Sequence, residues 1–134
     1  MNLSAAIKQK ASALTSVQNK KKSRENIEFN KRVEALAPII GKIKPALADY
    51  GLSVTLHTDK SHYPCPAIHI KGRAVSFNSP IYNRISEICG SKEDGFAAGS
   101  CNRHIYKFDT EDKLIGHITD AVATSIASGY LVRQ

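Results

Sequence analysis

Apolar residues at Leu3, Ile7, Ala11, Leu14 and Val17 recur three or four positions apart, and that spacing predicts an amphipathic helix over residues 2–17. The polar, basic run Gln18-Asn19-Lys20-Lys21-Lys22-Ser23 interrupts the pattern and reads as a loop or frayed turn, with Ser23 placed to cap the next helix. A second stripe, Phe29, Val33, Leu36, Ile40, Ile43 and Leu47, then advances by alternate steps of four and three along one side of a helix. Pro38 and Pro45 fall inside it. Each removes a backbone donor and crowds the preceding turn, so a kink or split is expected near Ala37, and the preserved phase favours the kink. Gly51 supplies the stop.

Beyond Gly51 the period drops to two. Leu52, Val54 and Leu56 alternate with Ser53, Thr55 and His57 as in a half-buried strand, and residues 59–66 form a loop. Ile68 and Ile70, then Val75 and Phe77, alternate on either side of Gly72 and predict a β-hairpin. Ser79-Pro80 is an N-cap followed by Pro at the first helical position; Ile81, Ile85 and Ile88 extend that helix to Gly90. Residues 90–100 read as a projecting surface loop and residues 101–108 as a strand. Asp109 or Thr110 caps a final helix with Leu114, Ile115, Ile118, Val122 and Ile126 inward, ended by Gly129.

These elements predict an α+β fold: an antiparallel β-sheet of about four strands covered on one face by helices, with a long kinked N-terminal helical segment. Ser53, Thr55, His57, His69, Lys71, Arg73 and Ser76 would line the other face. In domain terms, residues 1–22 are an amphipathic helix and basic linker, and residues 23–134 a single α+β domain. A chain of 134 residues, 42% hydrophobic and 23% charged, suits that organisation. Its longest apolar runs are far short of the roughly 20 residues that cross a bilayer, so no membrane association is expected. The first eight residues lack a continuous apolar stretch of the signal-peptide kind, and three irregularly spaced Cys suit reduced thiols; both point to the cytoplasm.

Charge changes the picture most. Of the net +7, residues 1–50 carry +6, from ten Lys and Arg against four acids, and residues 51–134 carry +1. Such asymmetry points to an acidic partner, nucleic-acid backbone or protein, met by the N-terminal helices. The candidate contacts are Lys20, Lys21, Lys22, Arg24, Lys31, Arg32 and Lys42, with Lys71 and Arg73 on the sheet face. Lys20, Arg24, Lys31 and Lys42 would lie opposite the second stripe as one basic face.

Other chemistry is thinner. His62-x-x-Cys65 and Cys101-x-x-His104 are mirrored pairs that could together close a tetrahedral zinc site. Residues three apart in a strand point to opposite faces, however, and Cys65 sits between Pro64 and Pro66, so no metal and no cofactor are expected. With three Cys and five His, a thiol–imidazole pair can be judged only in three dimensions; Cys89 reads as a small core residue. No phosphate-loop or dinucleotide spacing occurs. Asp59, Asp109, Glu111 and Asp112 could serve a metal-dependent nuclease, although the last three are accounted for as helix-terminal acids.

The reading is therefore a non-enzymatic basic binding or regulatory protein. One alternative is a homo-oligomeric inhibitor or adaptor, similar in general style to accessory proteins of phages and mobile elements, with the Phe29–Leu47 stripe packed between chains as in a homodimer. The other is a small metal-dependent nuclease or hydrolase.

Overall fold

The computed structural model describes residues 2–59, 65–73, 75–76, 78–100 and 103–132. The chain divides into two compact units, residues 1–30 and 31–134. A helix, α1, runs from Leu3 to Ala48 and contributes to both.

The break expected at Gln18–Ser23 is absent, and those residues are helical. The run contains neither Gly nor Pro, and Lys and Gln are good helix formers; loss of apolar periodicity there means only that no core is faced. In the first unit the apolar positions Leu3, Ile7, Leu14, Val17 and Ile27 are all more than half exposed. Pro38 and Pro45 are accommodated inside α1 at exposed positions, where water can serve the carbonyls that lose their donors.

In the second unit the α1 stripe is buried in the chain's own core. Leu36, Ile39, Ile43 and Leu47 join Val54, Ile68, Ile70, Ile88, Phe96, Ala98, Leu114 and Ile118 in one cluster. Burial in the chain's own core accounts for this part of the stripe within one chain. Ile39 is fully buried while Ile40 is half-buried, so the inward face is rotated slightly from the one drawn through Ile40.

The fold is α+β, and its antiparallel sheet has five strands in sequential order. They are β1 Ser53–His57, β2 Ala67–Lys71, β3 Glu87–Ser91, β4 Gly95–Ser100 and β5 Arg103–Phe108, with α2 Pro80–Ile85 between β2 and β3 and α3 Glu111–Ala127 after β5. Val54, Ile68, Ile70, Ile88, Phe96 and Ala98 alternate into the core as the pleat requires.

Three local expectations fail for identifiable reasons. Val75 and Ser76 are not in a strand, and Phe77 lies outside the described residues; the Val75 N–H donates to the Gly72 carbonyl, closing a turn, and β2 pairs with β1 and β3 instead. The helix opened by Ser79 ends at Ile85, where the Ser86 hydroxyl bonds the Tyr82 and Gly99 carbonyls, so Ile88 belongs to a strand. The segment read as a projecting loop is the β3–β4 hairpin: its Gly, Ala and Ser residues look loop-like, yet Phe96 and Ala98 are buried. The last helix keeps to its pattern, with Thr110 accepting from the Lys113 N–H, but Ala121 and Ser125 are buried and Ile126 is 40% exposed.

Candidate functional site

The structure sorts the candidate cations into two groups. Lys20, Lys21, Lys22 and Arg24 are exposed on α1 in the first unit, and among the described residues no acid pairs with them. Residues 2–24 hold six cations, Lys8 and Lys10 included, and no acid at all. Successive helical positions are about 100° apart, so three adjacent lysines project to three sides of the rod rather than to one face. Lys31, Arg32 and Lys42 belong to the second unit and are each opposed by a carboxylate: Lys31 to Glu93 at 3.8 Å, Arg32 to Asp94 at 3.0 Å and Lys42 to Glu111 at 3.2 Å. The turn of the β3–β4 hairpin thus has a partner within its own chain. Lys71 and Arg73 are exposed at and just beyond the C-terminal end of β2.

A second constellation lies on the sheet face away from the core cluster. Glu87 and Cys89, two apart on β3, share that face, as do His57 on β1 and His69 on β2. The imidazoles of His57 and His69 stack with centroids 3.8 Å apart, and His69 Nε2 is 3.6 Å from Glu87 Oε2. His104 reaches the same carboxylate from β5, with Nε2 2.9 Å from Glu87 Oε1, while its Nδ1 is 3.5 Å from Cys89 Sγ. The intervening strand β4 carries Gly95, Ala97 and Gly99 on this face, small residues that leave room for the crossing.

Strict alternation would put His104 on the core side with Tyr106. The β4–β5 register shifts between Ala98 and Ser100, and such an irregularity re-aims a side chain to the opposite face. Gly99 permits the close approach, because a Cβ there would run into the Arg103 carbonyl oxygen. The Glu87 carboxylate can only accept, so Nε2–H donates to it, and Nδ1 faces the Cys89 thiol. Burial pushes the Cys89 thiol up, with Cys65 and Glu87 adding to the effect. Burial also pushes His69 down, reinforced by His57 and opposed by Glu87. Beside this row lies a cavity of about 380 Å³ lined by His57, His69, Lys71, Tyr82, Ser86 and Glu87.

Among the described residues no group of three or more His, Cys, Asp or Glu is arranged to hold a metal ion. His62 and Cys101 lie outside the described residues, Cys65 is exposed, and His104 is engaged by Glu87 and Cys89. The Cys89–His104 contact escaped sequence reasoning because residues 87–89 were assigned to a helix; Glu87-x-Cys89 on a strand would have put both groups on one face. Of the carboxylates considered for nuclease chemistry, Asp109 pairs with Lys113 at 2.8 Å, and that hydrogen bond holds its carboxyl below the usual range. Glu111 pairs with Lys42. Among the described residues no helix is long and apolar enough to cross a membrane. No family model, curated protein or solved structure matches the chain.

Proposed function

We propose that this chain is a binding protein whose basic helical arm engages an acidic partner, and that the partner surface is the phosphate backbone of nucleic acid. The observation that carries the reading is the acid-free stretch of α1, residues 2–24, whose Lys20, Lys21, Lys22 and Arg24 remain without carboxylate partners among the described residues. Cations directed to several sides of one rod suit a groove flanked by phosphates on both walls; a flat acidic protein surface would use only one side. Contacts of this kind are sequence-independent and release counterions, so they weaken steeply with salt.

Fluorescence anisotropy with labelled single- and double-stranded DNA and RNA across a salt series tests the proposal. The expected result is micromolar or tighter binding at low salt, similar for unrelated sequences, with a steep salt slope. Absence of binding at low salt would overturn it and make an acidic protein the partner to seek.

A further inference from the structure

We infer that Cys89 is a nucleophilic site for activated acyl esters, with His104 as its general base and Glu87 as the residue that positions the imidazole. Cys89 Sγ lies 3.5 Å from His104 Nδ1, and His104 Nε2 lies 2.9 Å from Glu87 Oε1. That is the nucleophile–base–orienter order that activates a weak nucleophile. Glu87 is buried, His104 is 23% exposed at its side chain and Cys89 is half-buried, so the carboxylate end is fixed while the thiol end is reachable. The fold commits local structure to the arrangement: the β4–β5 register shift turns His104 outward, and Ala97 and Gly99 keep the intervening strand low. Lys107 pairs in register with Ala97, which itself pairs with Cys89, so an ammonium on the same face can stabilise a developing oxyanion. Among the described residues, the other charged or titratable groups bearing on the pair include His69 through Glu87, Cys65 and Arg32.

The chemistry balances without a further reagent. As the Sγ–C bond forms at the acyl carbon, the thiol proton passes to Nδ1. Collapse of the tetrahedral adduct breaks the acyl C–O bond, and the same proton leaves with the departing alkoxide or phenoxide. Water then attacks the thioester, giving a proton to Nδ1. Cleavage of the C–S bond returns that proton to sulfur and releases the carboxylic acid.

The test uses the full chain carrying Cys65→Ser and Cys101→Ser, so that Cys89 is its one thiol, with p-nitrophenyl acetate as probe. The expected outcome is acetylation of Cys89 by mass spectrometry, with p-nitrophenolate release about 100-fold faster than when His104→Gln is added. No adduct at Cys89, or equal rates with and without His104, overturns the inference; circular dichroism establishes that the variant is folded. The pH profile of acylation in the single-thiol chain gives a readout that does not depend on the His104 variant. A base-assisted reaction rises with a midpoint well below the thiol range. A midpoint in the thiol range, at or above the ordinary value of 9.0, shows direct reaction of the thiolate and excludes His104 as base. Glu87→Gln should slow acylation, and Glu87→Asp, which keeps a carboxylate, should restore part of the rate; a merely structural contact would not distinguish the two.

Discussion

Replacing Lys20, Lys21, Lys22 and Arg24 together with Gln removes four cations that have no carboxylate partner among the described residues, while leaving α1 helical, because Gln has nearly the helix propensity of Lys and Arg. Each cation that neutralises a phosphate of duplex DNA contributes about 0.9 to the steepness of log K against log salt. If all four reach phosphates, the slope should fall by about 3.6, and near 0.1 M salt the dissociation constant should rise on the order of a thousandfold. The informative control is Lys31→Gln, Arg32→Gln and Lys42→Gln in one chain. Those cations face Glu93, Asp94 and Glu111, so a phosphate would have to displace a carboxylate, and the affinity should change less than about tenfold. Anisotropy titrations of one duplex between about 50 and 200 mM salt read both slopes. Equal losses in the two variants, or a wild-type slope after the four-residue replacement, would refute the partition into free and paired cations.

Three further outcomes are expected from the fold. Ile39→Ala should cost about 2–5 kcal/mol in urea unfolding, and Ile40→Ala distinctly less, because only Ile39 is fully buried; equal costs would show the inward face of α1 to be misplaced. Gly99→Ala should destabilise by about 1–3 kcal/mol, since the added methyl meets the Arg103 carbonyl oxygen, and it should shift the His104 ring resonances in NMR spectra; an unperturbed His104 would argue against the β4–β5 crossing. His69 is held below its ordinary value of 6.5 in the folded chain, so below that pH the unfolded chain binds the additional proton. Its contribution to stability is complete above 6.5 and is lost as the pH falls toward the lowered folded value. The urea midpoint should therefore drop between about pH 7.5 and 5.5, and His69→Gln should flatten that drop.

The elements legible in the sequence are those whose signals are local. Helical spacing around Leu36, Ile43 and Leu47, alternation at Val54 and Ile70, and the caps Ser79 and Thr110 each depend on residues a few positions apart, and each has its structural counterpart. The charge asymmetry is likewise a property of the chain itself. Continuity of α1 through Gln18–Ser23 could have been anticipated from helix propensity, but periodicity is silent where a helix faces no core.

Tertiary structure decided the features that depend on distant partners. The Ala- and Gly-rich strand β4 forms because β3 and β5 supply its ladder on both sides, a context absent from its own composition. Lys31, Arg32 and Lys42 look identical in sequence to Lys20 and Lys21, yet carboxylates more than 60 positions away partner them. Cys89 and His104 are 15 residues apart, and they meet only because a register shift turns one imidazole through the sheet. Periodicity assigns side chains to faces; long-range pairing and its irregularities determine which of those side chains touch.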